Sequence, residues 1–76
     1  MAYKELDVVV LNADIPAHGL KRGDVGAVVH VYGSEAVEVE FVLPDGRTQA
    51  VVTLRPEELR PIDKQDVLAV RRVDAA

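Results

Sequence analysis

The stretch from Gly19 to Tyr32, Gly-Leu-Lys-Arg-Gly-Asp-Val-Gly-Ala-Val-Val-His-Val-Tyr, constrains the fold more than any other part of the chain. A basic turn punctuated by glycine runs straight into a valine-rich segment. Glycine accepts positive φ and lets backbones approach closely, so Gly23 and Gly26 permit a sharp turn and a bend where a strand begins. Valine is stiff at χ1 and favours strands. A small, strongly curved β domain starts its long central strand in this way, and the expected class is mainly β.

The chain has 76 residues, enough for one domain. A domain of this size buries only about 60–65% of its unfolded surface, so the core is thin. Residues 7–11 read as the first strand, centred on Val8, Val9 and Val10. Residues 12–22 form a long loop rich in turn formers, with Asn12, Asp14, Pro16 and Gly19; Ile15 and Leu20 are expected to tuck into the core and pin it. Residues 24–32 make the second strand and 33–35 its turn. In the third strand, residues 36–43, Val37, Val39 and Phe41 alternate with Glu38 and Glu40, the period of a half-buried strand. Pro44-Asp45-Gly46-Arg47 signals a hairpin, and residues 48–54 form the fourth strand. Arg55-Pro56-Glu57-Glu58-Leu59 reads as one helical turn, with proline at its first position and acid next to it. Residues 60–62 read as a short fifth strand.

Two hairpin registers test each other. A two-residue turn at Asp45-Gly46 sets Phe41 opposite Ala50, Val39 opposite Val52 and Val37 opposite Leu54. A three-residue turn at 33–35 sets Val31 opposite Val37, Val29 opposite Val39 and Ala27 opposite Phe41. Both turn the same face of the third strand inward, and a slip by one residue would bury Glu38 and Glu40. The outward face then carries Val28, His30, Tyr32, Val42 and Val51. Residues 1–62 are the expected small β-barrel and 63–76 a tail. In the tail Asp63 caps a short helix striped by Val67, Leu68, Val70 and Val73, or the segment adds a strand.

Composition narrows the function. There is no cysteine, which removes disulfides and thiolate sites and fits the cytoplasm. The first residues, Met1-Ala2-Tyr3-Lys4-Glu5, lack the apolar core of a signal peptide, and no apolar run is long enough to span a bilayer. The net charge of −4 disfavours nucleic acid, whose binders gain affinity from phosphate neutralisation. His18 and His30 share no metal-ligand spacing, so no metal or other cofactor is expected. Glu38 and Glu40 share a strand face, but acid–base chemistry needs burial and shifted pKa values, and an open face offers neither. Gly23-x-x-Gly26 leads into a strand, not into the lysine, hydroxyl and helix of a phosphate loop.

Five short strands, a long first loop and one helical turn before the last strand resemble the Src-homology-3-like small barrel. Gly23-Asp24-Val25-Gly26-Ala27-Val28-Val29 looks like the KOW-type strand entry of ribosomal and transcription-factor barrels. A closer likeness spans Leu6 to Ile62. Leu6-Asp7-Val8-Val9-Val10-Leu11, Asp14-Ile15-Pro16, residues 19–26, Val37-Glu38-Val39-Glu40-Phe41, Asp45-Gly46-Arg47-Thr48 and Leu59-Arg60-Pro61 together are similar to a bacterial family known as domain of unknown function 4926. The resemblance implies a five-stranded antiparallel barrel that stands alone.

The expected role is a non-catalytic protein-interaction module, an accessory or regulatory subunit that supports or neutralises a neighbouring protein, including one encoded nearby. Self-association through the apolar tail is a second form of that role. Asp14, His18 and Leu20 of the long loop and Val28, His30, Tyr32, Glu38 and Glu40 of the outward face are the candidate contacts. The alternative follows from the KOW likeness, which implies a nucleic-acid-associated domain using Lys21, Arg22 and Arg47, with Arg55 and Arg60 beside them.

Overall fold

Runs of β-branched residues become strands in the order that the sequence predicts. The computed structural model describes residues 2–73. Its strands are β1 (Val8–Leu11), β2 (Val25–Tyr32), β3 (Ala36–Val42), β4 (Thr48–Leu54) and β5 (Leu59–Pro61). Short 3₁₀ turns fill Pro16–His18 and Pro56–Glu58. All pairings are antiparallel, in one sheet of order β4-β3-β2-β1-β5. β4 and β5 are therefore the two edges. Among the described residues, no helix is long and apolar enough to cross a membrane.

The sheet is not closed into the expected barrel, since β4 and β5 do not pair. Leu54 of β4 and Leu59 of β5 lie at opposite edges, yet both join a single core with Val9, Leu11, Leu20, Val28, Val37, Val39 and Phe41. The first loop closes one side of this core. Ile15 and Leu20 bridge each other, Gly19 takes φ 67° between them, and Leu20 is 3% exposed. Asp14 holds the loop by accepting the Arg22 N–H at 2.8 Å.

β3 pairs with β4 as expected from Val37 opposite Leu54 to Phe41 opposite Ala50. The turn itself differs. Pro44 has no N–H to close a two-residue turn. Leu43 instead donates to the Arg47 carbonyl at 2.8 Å, which leaves three residues in the loop, with Gly46 at φ 91°. The extra residue is absorbed farther along, between Phe41 and Val42, where Val42 faces Thr48 and Gln49 is left over.

The β2–β3 register needs a larger correction. His30 faces Glu38, Val31 faces Val37 and Tyr32 faces Ala36, as predicted. Then a bulge at Val29 shifts the pairing, so that Val28 faces Val39 and Ala27 faces Glu40. The bulge exchanges inside for outside in the first half of β2. Val28 was expected on the outward face and is fully buried, while Val29, expected inside, is 38% exposed. Packing supplies the reason. Gly26 sits so close under Val39 and Phe41 that a side chain has no room there. With that position empty, Val28 fills the space beside Val39.

The tail is neither the helix nor the strand expected of it, within the described residues. Asp63 does cap one turn, accepting the Gln65 N–H at 2.8 Å, and Asp66 N–H reaches the Asp63 carbonyl at 2.9 Å. The chain then continues without regular structure. A short helix is marginal unless its apolar stripe is buried, and Val67, Leu68 and Val70 lie open to solvent. Residues 74–76 of the predicted tail fall outside the described residues.

Candidate interaction surface

Pairing fixes which side chains share the outer face. One row crosses the sheet as Val8, Ala27, Glu40 and Val51. Ile62 extends it at the β5 end, its N–H reaching the Val8 carbonyl at 3.4 Å. A second row holds His30, Glu38 and Thr53, and a third holds Tyr32 and Ala36. Val8, Val29, Tyr32, Val42 and Val51 are between 38% and 57% exposed. Such a set of exposed apolar groups on a small sheet is the kind of surface that partners cover. Its few polar groups have defined positions. Thr48 Oγ1 donates to Glu40 Oε2 at 2.6 Å. The His30 and Tyr32 rings meet edge to face, with centroids 4.5 Å apart.

The predicted contact residues therefore divide. His30, Tyr32, Glu38 and Glu40 come together on this face. His18 is exposed, but on the 3₁₀ turn, where its carbonyl accepts from Gln49 Nε2 at 3.4 Å. Asp14 is exposed and braces the loop. Leu20 and Val28 are core residues with nothing to offer a partner. Sequence reasoning missed Val8, Val29 and Ile62. Val8 and Ile62 carry a signal in hindsight, since each lies an even number of residues from an outward neighbour on its strand. Val29 carries none, because the bulge is set by packing.

Several basic side chains are paired with acids. Arg47 Nε lies 2.7 Å from Asp45, Arg55 sits beside Glu57 and Glu58, and Arg60 grips Asp66 through two bonds. The Lys21 N–H donates to Asp24 at 2.8 Å. Hydrogen bonds from Arg60 and from the Asp63 N–H hold the Asp66 carboxyl at about 2. Burial pushes Asp24 up, but the bonds from Arg71 and the Lys21 N–H outweigh it, and the net value lies below the usual carboxylate range.

Two clefts flank the sheet. One of about 370 Å³ opens between Tyr3, Val31, Ser34 and Pro56, and burial there, then the nearby Asp7, pushes the Tyr3 phenol up. The other, of about 240 Å³, lies at the start of β2 among Asp24, Val25, Val42, Gln49 and the tail.

The family model described as Domain of unknown function (DUF4926) matches residues 5–61. No curated protein and no solved structure matches the chain.

Proposed function

We propose that the chain, which belongs to the DUF4926 family, acts as a non-catalytic protein-interaction module, a soluble accessory subunit in the bacterial cytoplasm. The observation that carries this reading is the row Ile62, Val8, Ala27, Glu40 and Val51, apolar except at Glu40 and flanked by Val29 and Tyr32. A thin-cored domain gains nothing in its own stability from valines left in water. Their burial against a partner would contribute roughly 25 cal/mol per Å² of apolar surface covered. Arg47, Arg55 and Arg60 are each paired with a carboxylate, which weakens the positive surface that phosphate binding would use. The five strands, the long first loop and the 3₁₀ turn between β4 and β5 support placing the coiled sheet among the Src-homology-3-like small barrels.

The test is affinity capture with the full chain, washed at roughly 0.1 M and 1 M salt. Val51→Lys puts a charge in the middle of the face and keeps the strand, because the lysine lies across from Glu40. The captured protein should survive the high-salt wash and be lost with Val51→Lys. Tyr32→Ala should weaken it by about 1 kcal/mol or more if the ring is an anchor. Retention of nucleic acid that falls steeply with salt and ignores Val51→Lys would refute the reading.

A further inference from the structure

The family match ends at residue 61, yet the segment that follows is fastened to the sheet. Beyond the Ile62 N–H on the Val8 carbonyl, arginines fasten it at two places among the described residues. Near its start, Arg60 Nη1 and Nη2 donate to the Asp66 carboxylate at 2.8 and 2.9 Å. Farther on, Arg71 reaches back to the beginning of β2. Its Nε donates to Asp24 Oδ1 at 2.9 Å, its Nη2 donates to Asp24 Oδ2, and the same nitrogen reaches the Gly19 carbonyl at 2.9 Å.

Between the two clamps lies the row Arg60, Val10 and Val25. Val10 stands apart from the core cluster, on the outer side of β1, and is nonetheless only 4% exposed. Val8, two residues earlier on the same side, is 43% exposed. The tail runs as a strap from Arg60, the register neighbour of Val10 at the β5 edge, to the cleft beside Asp24.

Apolar burial holds this strap only at Val73, which is half-buried near Gly19, among its described residues. Val67, Leu68 and Val70 are 88%, 72% and 98% exposed. The grip is a guanidinium on a carboxylate and a carbonyl, a planar fork that lysine cannot reproduce. A segment held mainly by polar contacts at its ends belongs to the low-stability part of a structure, and it opens without unfolding the rest.

We propose that the surface formed by Gly19, Asp24, Val25, Val42 and Gln49 is a recognition site for an extended, arginine-bearing peptide of a partner protein, and that the chain's own residues 69–73 lie against it in cis, walling one side of the cleft there. The proposal rests on the interaction-module reading and adds to it the chemistry of a partner and a built-in competitor. Charge favours such an occupant twice. Asp24 presents both carboxylate oxygens with its side chain only 18% exposed, and the whole chain carries a net charge of −4. Because the strap is tethered, it competes at an effective concentration of the order of millimolar. Its release frees the Asp24 carboxylate and the Gly19 carbonyl as acceptors, beside Val25 and Val42, which continue the exposed apolar face.

The experiment uses the full chain and a fluorescein-labelled peptide of the sequence of residues 66–73, Asp-Val-Leu-Ala-Val-Arg-Arg-Val, read by anisotropy. The Arg71→Ala chain should bind it at least about tenfold more tightly than wild type, because its own strap has lost its anchor. Adding Asp24→Asn to Arg71→Ala should abolish the gain, while the amide oxygen still accepts the Lys21 N–H and keeps the loop. A peptide with lysine in place of both arginines should bind at least about tenfold more weakly. Equal binding by wild type and Arg71→Ala, or by the lysine peptide, would overturn the proposal. If Asp24→Asn disturbs folding, amide shifts of the Arg71→Ala chain with peptide decide instead. They should change at Gly19, Asp24, Val25 and Gln49, and changes confined elsewhere would overturn it. A wild-type dimer that dissociates on Arg71→Ala would also overturn it, by assigning the cleft to the strap of a second copy. Val51→Lys should leave peptide binding intact, so failure here and failure of the apolar-face reading are separable.

Discussion

Gly26→Ala is the substitution for which the structure gives the sharpest magnitude. A methyl group at this position would lie 2.7 Å from Val39 Cγ1, 2.9 Å from Phe41 Cε1 and 3.0 Å from the Glu40 carbonyl oxygen. Carbon atoms pack best about 3.5–4.0 Å apart. Neither neighbour can swing away, since Val39 is fully buried and Phe41 is 3% exposed. The third neighbour is backbone, and it belongs to the strand that pairs with β2 through Ala27 and Glu40. Overpacking of this kind costs about 1–3 kcal/mol, and three contacts at once argue for the upper end. Alanine returns up to about 1 kcal/mol by restricting the unfolded chain. The net loss is then about 2 kcal/mol, from a total of roughly 4–11 kcal/mol for a chain of this length. The melting temperature should fall by about 8–16 °C. Urea unfolding followed by circular dichroism measures the loss directly, with an unchanged m-value. A cycle with Val39→Ala isolates the cause. Removing the closest methyl should cut the cost of Gly26→Ala by about 1 kcal/mol or more. A neutral or stabilising Gly26→Ala, or an undiminished cost beside Val39→Ala, would refute the packing argument.

The bulge at Val29 predicts an inversion between neighbours. Val28→Ala should cost about 2–3 kcal/mol in urea unfolding, as two buried methyl groups and a cavity are involved, and Val29→Ala under about 1 kcal/mol; the opposite order would restore the unbulged register. The strap should also respond to acid. The Asp66 carboxyl is lowered to about 2 and Asp24 is lowered as well, so the stabilisation is present above the ordinary carboxylate value near 4 and is lost as pH falls through the folded value. Amide signals of residues 66–73 should therefore lose their docked positions between about pH 4 and pH 2 while β3 signals persist; a strap that stays docked at pH 2 would contradict this.

Much of the architecture is legible in the residues because it depends on local chemistry. The alternation of Val37, Val39 and Phe41 with Glu38 and Glu40 fixes which side of β3 is dry, and every register that keeps the glutamates wet agrees with it. Pro56 followed by two glutamates marks the 3₁₀ turn, and Gly23, at φ 96° with open space around it, marks the bend before β2. The outward set His30, Tyr32, Glu38 and Glu40 follows from the same period.

Tertiary contacts decided the rest. Gly26 reads in sequence as a bend at the start of the strand, yet its role is to leave space for Val39 and Phe41, which no local pattern encodes. That crowding places a bulge at Val29 and carries Val28 into the core, and a bulge has no signature in a run of valines. The tail reads as a helix because valine and leucine recur at helical spacing, but a stripe determines a helix only when something is there to bury it. Here Arg71 finds Asp24, 47 residues away in sequence, and the tail becomes a strap. Side-chain periodicity is a property of neighbours along the chain, so the sequence by itself determined the strands and their faces. Steric exclusion and long-range ion pairing act between segments brought together only by folding, so they were settled in three dimensions.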